Sequence, residues 1–148
     1  MDDQSDIPAV TLIETNVFAF REGARVPARV GYQLDGAAVV VVTIEGESLY
    51  RGVGTDLFDA LASARRDLEF VGITLACNGS RKDVYPSPML REATFGRMAY
   101  VLTSPKSRER PETVDIFESA PEGANLATVD EQKAAFEDWA KQIPGGIS

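Results

Sequence analysis

The chain has 148 residues, 44% of them hydrophobic and 26% charged, a balance typical of one soluble globular domain over residues 1–148. Its formal charge of -8 has the wrong sign for a protein that binds nucleic acid or anionic membranes. With no histidine and a single cysteine, the chain cannot use Ser-His or Cys-His catalysis, a zinc site of mixed cysteine and histidine, or an internal disulfide.

Neither a secretory signal nor a membrane span is predicted. The N-terminal segment Met1–Asp6 is acidic and no apolar run follows it, which is the opposite of a secretory signal. The longest apolar stretch, Ala37–Val42, is far shorter than the ~20 residues that cross a bilayer. We therefore expect a cytoplasmic protein. Residues 1–7 and 144–148 are expected to be flexible tails.

The first part of the chain predicts a β-sheet. Val10–Phe20 holds two β-branched and aromatic runs that form either one bent strand or two. A second strand is expected over Ala28–Leu34 and a third over Ala37–Ile44, with Asp35–Gly36 as the turn of a hairpin. Because the third strand is apolar on both faces, we expect it to lie centrally in the sheet, covered by its neighbours.

The first helix is predicted to begin at Asp56. Asp56 can cap its N-terminus, and Asp59 lies in its first turn, where a carboxylate favours the helix dipole. The glycine-containing segment Gly52–Thr55 before the helix is interpreted as a plain turn, and Val71–Cys77 after it as the next strand. The apolar stripe of this helix consists of Leu57, Leu61, Ala64 and Leu68.

The segment 78–97 fits neither the helix period nor the strand period and contains Tyr85–Pro88, with two prolines, so we predict a long ordered loop. Two strands follow, over Met98–Leu102 and Val114–Phe117. The charged connection over residues 104–112 allows these two strands to pair as a hairpin.

The last helix is predicted from a capping box, in which the side chains of Thr128 and Glu131 accept from each other's backbone N–H. Its apolar stripe is expected to pack in the core and consists of Phe136, Trp139, Ala140 and Ile143. Together the elements indicate an α+β fold, with a mainly antiparallel sheet of about five to six strands and two packed helices.

Charge is distributed unevenly along the chain. Between Cys77 and Arg110 there are seven basic residues and three acidic ones, whereas the remainder of the chain is strongly acidic. A basic segment with aromatic residues can bind a phosphate, a carboxylate or an acidic surface, because arginine presents a planar fork to such groups. Alternatively, its arginines pair with the acidic body of the protein. The candidate ligand-binding or partner-binding residues are Asn78, Arg81, Asp83, Tyr85, Ser87, Arg91 and Arg97.

No catalytic, metal or cofactor site is predicted. Cys77 completes an apolar strand face and has no base to activate it, so we interpret it as buried and inert. Carboxylate pairs such as Glu45 with Glu47 and Asp56 with Asp59 have a spacing that suits Mg²⁺, but acidic residues are so abundant that chance explains them. The sequence therefore favours a non-catalytic protein over an enzyme.

The residues Cys77–Met89 carry the motif Asn-Gly-x-Arg-x-Asp-Val-Tyr-Pro-Ser, and Gly96–Leu102 and Val114–Phe117 follow it. In these segments the chain resembles a group of small uncharacterised bacterial proteins, over roughly residues 50–140. The resemblance implies a compact bacterial cytoplasmic α+β domain. In size and charge the chain is also similar to the immunity proteins that neutralise bacterial toxins.

Two functions are compatible with these features. The first is a non-catalytic binding protein, in which the acidic body or the 78–97 loop docks on a protein partner such as a basic toxin or effector. Its apolar anchors would be Tyr85, Phe95 and Tyr100.

The second function is that of a small-molecule binder or enzyme for an anionic ligand at the 78–97 loop. Here Tyr85, Ser87 or Asp83 would serve as acid, nucleophile or base. The clamp for the anion would consist of Arg81, Arg91 and Arg97.

Overall fold

Over its described residues, the protein folds as two antiparallel sheets with three helices. The computed structural model describes residues 11–33, 36–45 and 49–143. The predicted α+β class with a mainly antiparallel sheet is confirmed, and the described residues add a second sheet and a third helix to it. In chain order the elements are β1 (Ile13–Arg21), β2 (Ala24–Gln33), β3 (Ala38–Ile44), β4 (Leu49–Gly54), α1 (Leu57–Phe70), β5 (Ile73–Leu75), a 3-10 turn (Asn78–Ser80), β6 (Val84–Tyr85), α2 (Pro88–Thr94), β7 (Met98–Val101), β8 (Thr113–Asp115) and α3 (Val129–Lys141).

The larger sheet has the strand order β4-β3-β2-β1-β5 and is antiparallel throughout. β1 is one continuous strand, and a two-residue turn at Glu22 and Gly23, with φ of 52° and 79°, joins it to β2. β2 begins earlier than predicted, at Ala24, because Pro27 does not interrupt it: the Pro27 carbonyl accepts from the Glu45 amide at 3.0 Å.

β3 lies inside the sheet, between β4 and β2, as predicted. Val40 and Val42 are completely buried on the face that α1 covers, while Val39 is buried and Val41 half-buried on the opposite face. The predicted turn residue Asp35, the carboxylate Glu47 and the two predicted tails lie outside the described residues.

The segment predicted as a plain turn before α1 is largely part of β4. A Cβ on Gly52 would lie 2.1 Å from the Ala60 carbonyl oxygen and 2.6 Å from the Ala64 amide nitrogen. Glycine at this position therefore lets α1 approach β4 closely. α1 begins after its cap, Asp56, as predicted, and its apolar stripe of Leu57, Leu61, Ala64 and Leu68 is buried against the sheet.

The prediction of one long loop over residues 78–97 was wrong. The segment contains the 3-10 turn, β6 and α2. The two prolines favoured a loop in the sequence analysis. Pro88, however, occupies the first turn of a helix, where its missing N–H costs nothing. Ser87 caps this helix by accepting from the Leu90 amide at 3.1 Å, and Phe95 ends it in a left-handed conformation with φ of 55°.

The smaller sheet has the order β6-β7-β8, so the predicted hairpin of β7 and β8 is confirmed. β8 ends at Asp115, where the carboxylate accepts from the Phe117 amide at 2.9 Å and turns the chain. α3 follows with the predicted capping box of Thr128 and Glu131. Among the described residues, no helix has the length and apolar character needed to cross a membrane.

Candidate functional site

The structure distributes the seven predicted site residues over four places. Asn78, Arg81 and Asp83 form one polar cluster beside the 3-10 turn. Arg91 and Arg97 each pair with a carboxylate of another element. Tyr85 and Ser87 line a groove between the smaller sheet and α3, and this groove is the candidate functional site.

In the polar cluster, Arg81 is held by a bidentate pair. Its Nε and Nη2 donate to the two carboxylate oxygens of Asp83, both at 3.0 Å, and its Nη1 donates to Oδ1 of Asn78 at 3.2 Å. Asn78 in turn donates to the carbonyl oxygen of Asp115 at 3.1 Å. The fork of Arg81 is therefore already occupied by the protein's own groups.

Arg91 makes a second bidentate pair, with Asp56 at the N-terminus of α1. Its Nε and Nη2 donate to Asp56 at 2.8 and 3.0 Å, while Asp56 also accepts from the Asp59 amide at 2.8 Å. Burial alone would raise the pKa of Asp56, but the hydrogen bonds from Arg91 and from the Asp59 amide bring this pKa below its ordinary value. The pair joins α2 to the start of α1.

Arg97 pairs with Asp115 across β7 and β8. The neighbouring Tyr32 is buried, and its pKa is raised first by that burial and then by the charge of Asp115. All three arginines of the predicted anion clamp thus bind carboxylates of the protein. Arg91 and Arg97 pair with residues outside the segment 78–97, as the alternative expected, whereas Arg81 pairs with Asp83 of the same segment.

The groove encloses about 310 Å³ and four aromatic rings face it. Tyr85 and Phe136 stack with ring centroids 4.3 Å apart, and Trp139 continues the stack at 6.2 Å from Phe136. Tyr100 is the fourth ring. Aromatic surfaces of this kind bury a large apolar area at a low cost in side-chain entropy.

Two elements place these rings side by side. Tyr85 on β6 lies directly opposite Tyr100 on β7 in the antiparallel register, so both side chains are on the same face of the smaller sheet. On α3, Phe136 and Trp139 are three residues apart and lie on one side of the helix, and Ile143, just past the end of the helix, lines the same groove. The groove is the space between these two surfaces.

The connection between β7 and β8 forms the third wall. It contributes Leu102, Thr103, Ser104, Ser107, Glu109 and Pro111 to the lining. The indole N–H of Trp139 donates to the Thr103 carbonyl oxygen at 2.6 Å, which fixes the start of this wall to α3. The wall provides hydroxyl groups and one carboxylate next to the aromatic surface.

Tyr85 carries one of the two phenol groups in the lining of the groove. Burial raises its pKa, and the charges of Glu137 and Asp59 add to the effect, while Arg91 opposes it. The phenol therefore stays protonated at neutral pH and can serve as a hydrogen-bond donor to a bound group.

Several residues of the groove were missed by the sequence analysis. Phe136 and Trp139 were expected in the core, whereas both are half-buried and exposed to the groove. Phe95, expected as an anchor, lies instead at the end of α2, where its carbonyl oxygen accepts from the Leu57 amide at 2.9 Å. The aromatic spacing on α3 was visible in the sequence, but the pairing of β6 with β7 was not.

Cys77 is completely buried and its pKa is raised by that burial, so the thiol is not an activated nucleophile. In the part of the chain that the structure describes, no group of three or more acidic or cysteine side chains is arranged to hold a metal ion.

Comparison of the sequence with models of known protein families found no match, and comparison with curated proteins also found none.

Proposed function

We propose that this protein is a non-catalytic binding protein that holds a protein partner through the aromatic groove. The observation that carries the proposal is the groove itself, with Tyr85, Tyr100, Phe136 and Trp139 around about 310 Å³. Interfaces derive most of their affinity from a few aromatic or arginine side chains seated in such pockets. A groove of this volume suits one or two large side chains of a partner.

The expected partner is a basic protein, such as a toxin or effector domain that an immunity-type protein would neutralise in the bacterial cytoplasm. The formal charge of -8 favours approach of a basic surface, and Glu109 in the groove wall with Glu137 near Tyr85 favours a cation beside the anchor. The same connection also carries Lys106, Arg108 and Arg110, so the attraction of a basic partner comes from the charge of the whole chain and not from this wall.

A competition between bait variants tests the proposal. Tagged wild type, Ser107→Phe and Phe70→Ala are used to capture proteins from lysate of the source cells, with washes at ~0.15 M and ~0.5 M salt. Ser107→Phe fills the groove from an exposed wall position, whereas Phe70 is an exposed aromatic residue at the end of α1, away from the groove.

The proposal predicts one stoichiometric basic protein with wild type and Phe70→Ala, its loss with Ser107→Phe, and its release at the higher salt concentration. Equal capture by all three baits, or capture of no stoichiometric partner, would refute binding through the groove. Since Trp139 is the single tryptophan of the chain, a change in its fluorescence on adding the purified partner provides a direct second readout.

A further inference from the structure

Within residues 11–33, 36–45 and 49–143, one edge of the larger sheet is left without a neighbouring strand and is a second surface with binding chemistry. β4 is the outermost strand of the order β4-β3-β2-β1-β5 and spans Leu49–Gly54. The opposite edge strand, β5, covers only Ile73–Leu75. An edge strand presents unpaired N–H and C=O groups that can pair with another extended chain.

The hydrogen-bond pattern identifies which residues of β4 present these groups. The Glu45 amide donates to the Pro27 carbonyl oxygen, so that odd-numbered residues of β3 bond to β2 and even-numbered ones bond to β4. In the register of β3 with β4, the even-numbered residues lie opposite Tyr50, Gly52 and Gly54. The backbone groups that point away from the sheet are therefore those of Leu49, Arg51 and Val53.

The side chains of these three residues share the sheet face opposite α1. Leu49 is 64% exposed and Val53 is 55% exposed. Arg51 lies between them, is also exposed, and makes no ion pair or hydrogen bond through its side chain within the described residues. In the described part of the chain, the edge thus has one apolar position on each side of a cation that has no side-chain partner.

We propose that β4 accepts an extended segment of a partner protein as a sixth strand, with an acidic residue facing Arg51 and apolar residues facing Leu49 and Val53. Strand addition obtains affinity from main-chain hydrogen bonds and selectivity from alternate side chains. An acidic residue opposite an arginine and apolar residues opposite apolar ones are favourable cross-strand pairs.

A second copy of this chain is the less suitable occupant. Two-fold pairing of β4 with itself, in register to place Leu49 against Val53 of the other copy, also places Arg51 against Arg51. The same arginine that selects an acidic partner strand therefore opposes self-association.

The probe for the experiment is a blocked synthetic peptide with the core Val-Thr-Glu-Thr-Val, and the control peptide has Lys in place of Glu. Amide hydrogen exchange of the full chain is followed by NMR during titration. We expect the Glu peptide to slow exchange at Leu49, Arg51 and Val53, while Tyr50 and Gly52 are protected with or without it. The fluorescence of Trp139 should not change, which separates this surface from the groove.

Two variants make the test specific. Arg51→Glu should reverse the preference between the peptides, with the Glu peptide bound about fivefold more weakly. Val53→Pro removes an outward N–H that β3 does not use, so it should abolish peptide binding without unfolding the sheet, whereas Val53→Thr should retain binding.

The proposal is overturned if the Glu peptide leaves exchange at the three outward amides unchanged, or if Arg51→Glu does not alter the preference. Concentration-dependent protection of the same amides in the absence of peptide, together with a dimer in sedimentation, would show that a second copy occupies the edge and would also overturn it.

Discussion

Arg65 on α1 donates a hydrogen bond from Nη1 to Oε1 of Gln132 on α3 at 2.7 Å, and both side chains are almost completely buried. Arg65 also donates to the carbonyl oxygens of Gly79 at 2.9 Å and Ala127 at 2.8 Å. Neutral oxygen atoms thus surround a buried guanidinium. The amide nitrogen of Gln132 completes the network by donating to the carbonyl oxygens of Gly79, Arg81 and Val84.

Gln132→Leu should destabilise the protein by about 3 kcal/mol. The change removes the side-chain acceptor of Arg65 and the donor to the buried Val84 carbonyl, whereas the Gly79 carbonyl keeps its bond from Arg65 and the Arg81 carbonyl keeps its bond from the Val84 amide. Unsatisfied buried polar groups each cost on the order of 1–3 kcal/mol. Urea denaturation provides the free energy of unfolding. Lys133→Leu, an exposed neighbour on the same helix, is the control and should change stability by less than ~0.5 kcal/mol. Similar values for the two variants would contradict a central role for the network.

The network also explains why the structure of the 78–97 segment could not be predicted from its sequence. Its carbonyl groups at Gly79, Arg81 and Val84 accept hydrogen bonds from Gln132, which lies 48 to 53 residues later in the chain. No local period in the segment signals such a contact. The caps of α1 and α3 were predictable because Asp56 and Thr128 act on backbone groups within three residues.

The aromatic groove was only partly predictable for the same reason. The helical spacing of Phe136 and Trp139 is a local property, and the sequence indicated it. The pairing of Tyr85 with Tyr100 depends on the register of a two-residue strand, β6, that has no period of its own. Strand β4 was missed for a related reason. Gly52 was interpreted as part of a turn, whereas the close approach of α1 requires a glycine there.

Gly52→Ala should destabilise the protein by roughly 1–3 kcal/mol, as overpacking does. The added methyl group would meet the Ala60 carbonyl oxygen and the Ala64 backbone, neither of which is a flexible side-chain end. Thermal unfolding followed by circular dichroism measures the loss. Val53→Ala, an exposed position on the same strand, is the control, and a Gly52→Ala protein as stable as this control would show that α1 does not depend on the glycine.

The Asp56–Arg91 pair should contribute stability that acid removes. The folded pKa of Asp56 is below its ordinary value of 3.8, so the unfolded chain takes up a proton first as pH falls, and the contribution is fully present above about pH 5 and lost through the folded pKa. Because Asp56 and Arg91 are partly exposed, we expect about 1 kcal/mol at neutral pH.

Asp56→Asn isolates the charge of this pair, since asparagine is also a good helix cap. Urea titrations of wild type and Asp56→Asn between about pH 2 and 7 should converge at low pH, where the Asp56 carboxyl is protonated. A constant difference across that range would mean that the cap, and not the ion pair, is responsible for the contribution.

Cys77 should be unreactive in the folded protein. It is completely buried, and burial raises the pKa of its thiol. An aromatic disulfide reagent should therefore label it only when the protein unfolds, so that the labelling rate follows the urea dependence of unfolding. Rapid labelling in the absence of urea would contradict the buried position of the thiol.

Trp139→Phe should release the β7–β8 connection while leaving the aromatic surface in place. The variant retains the ring but removes the indole N–H that donates to the Thr103 carbonyl oxygen at 2.6 Å. A single hydrogen bond of this kind contributes about 1 kcal/mol. The connection carries Lys106 and Arg108, both exposed and neither followed by proline, so trypsin can report its mobility. We expect several-fold faster cleavage there, with a nearly unchanged midpoint of thermal unfolding. Trypsin should cleave Phe70→Ala at the same rate as wild type.

If Trp139→Phe is cleaved no faster than wild type, the hydrogen bond does not fix this wall of the groove, and the aromatic stack alone maintains the shape of the groove.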